Sequence, residues 1–370
     1  MLVRLRNSIQ VHGVRARHKS MNLHHLPNLI KALNIEESKD AFMKYSSLGR
    51  TGVKVSRIAL GGMSYGSEVS WMVREPEAIK IINKAIDLGI NFIDTADVYS
   101  EGESERIIGK AIKGRRDDII LATKVGLEFG SEPNNTGLSS YRLIKQLNGS
   151  LERLGTDHVE LYQIHRWDYN TDIRQTLETL NQLVNDNRVY YIGATSIYSF
   201  QIERIVNLSE KNGWARIVSH SPRYNLVYRE EEREVIPLCR ELGIAIIPYS
   251  PLGRGFLTGK YKRNIQPNTV RYRSDRYFAG GYFSPDDFDV LEELEEVAKE
   301  KGVTHTQVAL AWLFSKDWIT SPIVGITKEE YLNDAVAALD LKLLPDDIKR
   351  LEGRYKPHQL HGPVRSPLAP

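Results

Sequence analysis

Eight short apolar runs recur along this chain, each followed by an amphipathic stretch, and that alternation limits the fold more than any other feature. The runs are Arg57–Gly61, Asn91–Thr95, Asp118–Lys124, Val159–His165, Val189–Thr195, Arg216–His220, Ile244–Tyr249 and Ile319–Gly325. They are rich in Val, Ile and Tyr and mostly lack polar alternation, as strands covered on both faces do. Helical patterns separate them: Pro76–Leu88, Ser104–Lys113, Ser139–Leu154, Ile173–Asn185, Ser199–Lys211, Glu230–Leu242, Pro285–Lys301, Thr304–Lys316 and Lys328–Leu339. Short connections between alternating strands and helices imply right-handed βαβ units and a parallel sheet. Eight such units predict an α/β fold of the closed (β/α)8 TIM-barrel type. The competing open, doubly wound sheet usually carries a Gly-rich fingerprint after its first strand. Neither G-x-G-x-x-G nor G-x-x-x-x-G-K-[ST] occurs here.

Before the first barrel strand, Leu48–Val55 reads as a short hairpin turning at Thr51-Gly52, placed to close the barrel bottom. After strand seven, Gly253–Asp287 is the longest connection. It mixes Arg254, Arg263, Arg271, Arg273 and Arg276 with Tyr261, Tyr272, Tyr277, Phe278, Tyr282 and Phe283. A loop that long in a compact domain is usually functional. The barrel is expected over 43–355, with a C-terminal tail at 356–370. Residues 1–42 differ in composition: they hold seven Lys/Arg against three Asp/Glu, leaving 43 against 44 for the rest. They read as a disordered extension or a targeting segment, with Met43 an alternative start. The basic excess belongs to that segment, so the body presents no field for nucleic acid. No apolar run approaches the ~20 residues that span a bilayer. The single Cys239 excludes intramolecular disulfides and a multi-cysteine metal site, and a reducing, cytoplasmic setting is expected.

In a barrel of this type the active site stands at the C-terminal strand ends. Those ends read Asp94-Thr95-Ala96-Asp97-Val98-Tyr99, Thr123-Lys124-Val125, Gln163-Ile164-His165-Arg166, Ala194-Thr195-Ser196 and Pro248-Tyr249-Ser250-Pro251. A buried Lys beside a Tyr lowers the phenol pKa, because the cation favours the phenolate. An Asp paired with that Lys keeps it charged, and a His can donate to a carbonyl oxygen. Asp94, Tyr99, Lys124 and His165 therefore read as a proton-transfer set for a carbonyl/alcohol pair. Each has a plainer reading alone: an Asp–Lys pair inside a barrel is often structural, a strand-end Lys can form a Schiff base, and a buried His is usually only a packed side chain. Their placement on successive strand ends argues for the set. No metal site is expected, since neither H-x-H nor H-E-x-x-H occurs.

The chain resembles the aldo-keto reductase superfamily, in particular the branch of bacterial, fungal and plant reductases related to the potassium-channel β-subunit and aryl-alcohol dehydrogenases. The matching segments are L-G-R-T-G-V-K-V-S at 48–56, G-I-N-F-I-D-T-A-D-V-Y at 89–99, L-A-T-K-V-G at 121–126 and S-L-E-R-L-G-T-D at 150–157. They continue with L-Y-Q-I-H-R-W-D at 161–168, Y-I-G-A-T-S at 191–196, R-Y-N-L-V-Y-R-E at 223–230 and I-P-Y-S-P-L-G-R-G-F-L-T-G-K-Y at 247–261. The family's catalytic tetrad falls on Asp94, Tyr99, Lys124 and His165. The resemblance implies NADP(H) bound across the barrel mouth. Tyr249 would stack on the nicotinamide, with Thr195, Ser196 and Ser221 at the carboxamide. Ser250, Leu252, Gly253 and Arg254 would flank the pyrophosphate. Gly325, Thr327 and Lys328 would lie near the 2′-phosphate, and Tyr331 and Asp334 near the adenosine. Relatives commonly carry Ser-Asn at 195–196, Gln at 221 and Glu-Asn at 334–335, so this chain departs from the pattern at Thr195, Ser196, Ser221, Asp334 and Ala335.

The expected function is NADPH-dependent reduction of aldehydes or ketones to alcohols, with Tyr99 as general acid and a small-molecule carbonyl as substrate. Met63, Tyr65, Trp71, Glu128, Phe129, Trp167 and the aromatic 261–283 loop are candidates for the substrate wall. Two other readings are a redox-sensing, cofactor-binding regulatory subunit and a lyase using Lys124 as a Schiff base. At the 2′-phosphate site, Thr327 is expected to cap the last cofactor helix or donate its hydroxyl. Helical spacing is expected to point Glu329 and Glu330 in directions different from Lys328.

Overall fold

The computed structural model describes residues 43–275 and 281–358; the expected extension at 1–42, most of the tail, and Arg276, Tyr277 and Phe278 lie outside the described residues. Tyr45–Ser47 (β1) and Lys54–Ser56 (β2) pair antiparallel. Between them, Leu48 N–H donates to Val53 O at 2.9 Å, and the Thr51 hydroxyl donates to Leu48 O at 2.8 Å. Gly49 has φ +57°, and a Cβ there would lie 2.7 Å from the Val218 carbonyl oxygen, so a side chain would be both strained and obstructed. Leu48 and Val55 are fully buried in one apolar cluster with Ala59, Phe92, Ala122, Leu161, Ala245, Ile247 and Ile323. The hairpin thus plugs the N-terminal end of the barrel.

The barrel strands are Ala59–Gly61 (β3), Phe92–Asp94 (β4), Ile120–Val125 (β5), Val159–Ile164 (β6), Val189–Thr195 (β7), Ile217–Ser221 (β8), Ala245–Ile246 (β9) and Ile323–Val324 (β10). All pair in parallel, in the order β10-β3-β4-β5-β6-β7-β8-β9. Between β9 and β10, Thr320 N–H donates to Ile246 O at 2.9 Å and Ile323 N–H to Pro248 O at 2.8 Å. Each run read as a strand holds one, with Val125 and Ser221 each extending a strand one residue past the run. Ile244–Tyr249 and Ile319–Gly325 are shorter than read because Pro248 and Pro322 have no N–H for a ladder.

The helices follow the expected order, and Ser139, Asp172, Ser284 and Thr304 each cap one with a side-chain acceptor. The expected helix Glu230–Leu242 divides into a 3₁₀ turn, Glu230–Glu232, and a helix, Val235–Leu242. Pro237 lacks an N–H, and its ring would clash with a helical carbonyl four residues back, so the helix starts within a turn of it. The structure also has a helix at Pro345–Gly353 that the sequence reading omits; its Asp347 accepts from Leu344 N–H at 2.6 Å.

Candidate active site

Strand periodicity aims side chains from three strands into one space. Phe92, Ala122 and Leu161 face the barrel interior. Successive side chains alternate across a strand, so Asp94, Lys124, Gln163 and His165 face inward above them. The Lys124 ammonium donates to Asp94 Oδ1, to Thr95 O at 2.8 Å and to the Tyr99 hydroxyl at 3.5 Å. Lys124 Nζ also lies 5.1 Å from the Tyr99 ring centroid. The Tyr99 and His165 rings meet edge to face at 5.9 Å. The four residues expected to act together are therefore brought together, and Asp94, Lys124 and His165 are almost completely buried.

Burial acts differently on each. It works against the Lys124 ammonium, but Asp94 and Tyr99 more than offset it and raise the Lys124 pKa. Burial pushes the Asp94 carboxyl up, while Lys124 and Gln163 pull it down. His165 is driven well below the usual range by burial, with Arg166 and Lys124 adding to the effect, so its ring is neutral. Tyr99 departs from the sequence expectation. Lys124 does favour its phenolate, but burial outweighs the cation and the phenol pKa rises.

Supporting groups escaped the sequence reading. Gln163 donates from Nε2 to Asp94 Oδ2 at 2.9 Å. Its place two residues before His165 was the available signal. Asp97 and Arg142 form a fully buried ion pair at 3.1 Å, and burial pushes Asp97 up to about 7 although Arg142 opposes the shift. Arg142 also donates to Leu127 O at 3.2 Å, tying the loops after β4 and β5 together. No local spacing announces a pair so far apart in the chain.

The cofactor residues expected on the other side of the rim are set largely by backbone. The Thr195 hydroxyl is buried without a partner among the described residues. Ser196 (φ 49°) donates its hydroxyl to the Tyr249 hydroxyl at 3.0 Å. Ser221 is turned into the wall, donating to Ile247 O at 2.8 Å. Beyond β9, Ser250, Gly253, Arg254 and Gly255 all have positive φ, and Gly253 N–H donates to Ser250 O at 2.9 Å. Leu252 lies within this turn, half-buried. Arg254 pairs with Asp275, which Arg271 also approaches, and the Arg271 guanidinium lies 4.4 Å from the Trp71 ring centroid. The long loop after β9 thereby reaches the loop after β3.

Gly325, Thr327, Lys328, Tyr331 and Asp334 follow β10, the neighbour of β3. Lys328, not Thr327, occupies the N-cap of the helix Glu329–Ala337, and no side chain caps it. Lys328 Nζ lies 3.2 Å from Glu330 Oε1, contrary to the expectation that the acidic residues point elsewhere. The extended backbone at Lys328, outside the helical turn, brings the two side chains together. Of the expected substrate wall, Tyr65 is fully buried in the core, and Phe129 packs beside Arg142 and Arg153 of the helix Ser140–Leu154. Trp71, Trp167 and Met63 are half-buried, and Glu128 is exposed.

A family model described as the Aldo/keto reductase family matches residues 57–356. The chain is 37% identical over 353 residues to a Schizosaccharomyces pombe protein provisionally named an aryl-alcohol dehydrogenase, covering 86% of this chain and 98% of that one. It is 35% identical over 344 residues to versiconal hemiacetal acetate reductase of Aspergillus parasiticus, covering 86% and 99%. An aldo-keto reductase of Fusarium vanettenii is 34% identical over 348 residues, covering 86% and 92%. No helix among the described residues is long and apolar enough to cross a membrane.

Proposed function

The chain belongs to the aldo/keto reductase family, and on that premise we propose that it is an NADPH-dependent oxidoreductase that reduces aldehydes or ketones to alcohols, with Tyr99 as the proton donor. The observation that carries this reading is the buried Lys124 ammonium in contact with both Asp94 and the Tyr99 hydroxyl, beside a neutral His165.

Each residue has a distinct task in this reading. The neutral His165 ring keeps one N–H, which orients the substrate carbonyl oxygen. Tyr99 hands its proton to that oxygen as it becomes an alkoxide. Lys124 stabilises the phenolate that Tyr99 leaves behind, and Asp94 holds Lys124 charged and in place. In the reverse direction the phenolate takes the alcohol proton.

The dinucleotide, when bound, supplies the hydride. The chain offers groups that fit it: the Thr195 hydroxyl, unpartnered among the described residues, and Ser196 for the carboxamide, the Tyr249 ring for the nicotinamide, and the turn from Ser250 to Gly255, with left-handed backbone at Ser250, Gly253, Arg254 and Gly255, for the pyrophosphate. The exposed Lys328 and the first-turn N–H groups after it suit the 2′-phosphate. The names of the fungal relatives, an aryl-alcohol dehydrogenase and a hemiacetal acetate reductase, point to aryl alcohols and the aryl aldehydes they are oxidised to as the first substrates to try. Purified protein is offered aldehydes, ketones and sugars with NADPH, and loss of reduced-nicotinamide absorbance is followed. Turnover of at least one carbonyl class is expected; no turnover of any overturns the reading.

A further inference from the structure

Level with Lys124 a polar row runs across the strands. Cross-strand register places Lys124 opposite Gln163, Gln163 opposite Gly193, and Gly193 opposite Ser219. Gln163 and Ser219 are fully buried. The Gln163 amide donates to the Asp94 oxygen that Lys124 does not use. The other half of the amide, Oε1, and the Ser219 hydroxyl have no partner among the described residues. A carboxylate can only accept, so the contact with Asp94 fixes the amide with its NH₂ group toward the acid. Gly193 is what lets the amide lie there: a Cβ at that position would come within 3.1 Å of Gln163 Cγ and 2.5 Å of Ser219 Oγ.

We propose that Gln163 is a positioning residue for proton transfer: its amide holds Asp94 in place as a carboxylate, and through Asp94 it sets the charge on Lys124 and the acidity of Tyr99. The physical reason is that a buried carboxylate needs both oxygens satisfied. Lys124 serves one oxygen and Gln163 the other. Without Gln163, Asp94 is held less firmly as an anion, Lys124 is held less firmly as a cation, and the Tyr99 phenolate loses support. The titratable or charged groups coupled in this cluster are Asp94, Tyr99, Lys124, His165 and Arg166. The Asp94 charge also acts directly on Tyr99 and raises its pKa, but Lys124 acts on Tyr99 more strongly in the opposite sense, so a weaker Lys124 charge prevails. The inference rests on the reductase reading above.

The test is the pH dependence of kcat and kcat/KM for alcohol oxidation, compared between the wild type, Gln163→Leu and Gln163→Glu. Gln163→Leu is expected to lower kcat about tenfold and move the limb assigned to Tyr99 upward by about one to two pH units, the equivalent of one hydrogen bond to a charged group. Gln163→Glu keeps the volume but sets a second carboxyl against Asp94, so it is expected to shift the limb further. NADPH affinity should stay within about twofold in both, since the amide lies below the mouth; circular dichroism checks folding. If Gln163→Leu is unfolded, Gln163→Glu alone decides. Should both variants be unfolded, or should a folded variant keep the wild-type profile or change only cofactor affinity, Gln163 is structural and the proposal is overturned. A wild type that turns over no carbonyl, or a Tyr99→Phe protein that keeps full activity, defeats the reductase reading instead.

Discussion

Asp94, Lys124 and His165 reach the site from strands β4, β5 and β6 or the residue just beyond, and their side chains interact directly with one another or with Tyr99. Across the rim, the segments after β7 and β9 present Ser196, Ser250, Gly253 and Arg254, all with φ near +50°. The first half of the barrel arranges side chains; the second half arranges backbone. The first half has a left-handed run too, Ser100 to Gly102, but it follows Tyr99 and leads into the helix Glu103–Ala111. Hydrogen-bonded strands hold a side chain to one face with little freedom, which suits groups that exchange a proton over short distances. A loop in left-handed conformation turns several N–H groups one way, which suits an extended anionic ligand. In the proposed reductase, damage to the first half should therefore appear in turnover, and damage to the second in cofactor affinity.

Tyr99→Phe should break the first half with the largest effect. General acid catalysis is typically worth about 10²–10⁴-fold, so kcat should fall by that order while NADPH affinity barely changes. Steady-state rates with cofactor titration check both. A loss of affinity with intact turnover would mean the halves do not divide the work this way.

Gly253→Ala addresses the second half. Left-handed backbone costs a non-glycine residue about 1–2 kcal/mol, and Gly253 has φ +55°. The turn should relax and NADPH affinity should fall about tenfold, with kcat at saturation nearly unchanged; isothermal titration beside saturating kinetics tests this.

Lys328→Ala should weaken NADPH by only about two- to fivefold and leave NADH unchanged, because an exposed charge contributes little and Glu330 already shares it. Glu330→Gln should strengthen NADPH by a similar factor. Equal NADH and NADPH affinities in the wild type would remove Lys328 from the cofactor site.

The smallest effect on catalysis is expected at His220 of β8, which is fully buried and which burial holds down to about 3. Between pH 6.5 and about 3 the unfolded chain takes up a proton that the folded one refuses. Stability should therefore fall with acidity across that window, by about 1.4 kcal/mol per pH unit for this one group. Denaturant titrations of the wild type and His220→Gln at several pH values measure the slope. A variant with the wild-type slope would show that His220 is not the group responsible, and kcat near neutral pH should be unaffected.

Strand positions, and the meeting of Asp94, Tyr99, Lys124 and His165 at one end of the barrel, were legible in the sequence because the signals are local. An apolar run flanked by turn residues marks a strand, alternation sets its inward face, and a polar residue at its C-terminal end is aimed at the mouth. Interactions between distant segments were settled only by the closed barrel. Gln163 and Asp94 are remote in the chain and meet because β4, β5 and β6 lie side by side. Asp97 meets Arg142 from a helix packed behind the strands, and Asp275 gathers Arg254 and Arg271 because the long loop folds back on itself. The same holds for two of the expectations the structure changed. Lys124 beside Tyr99 predicts a lowered phenol pKa, but how much solvent remains around the ring is a property of the whole packed site, and here burial prevails. Residue spacing sends Glu330 away from Lys328 only if both are helical, and where that helix begins is decided by how β10 delivers the chain to it. Local pattern determines what each segment is; desolvation and long-range contact, which exist only once the ring has closed, determine what its charges do.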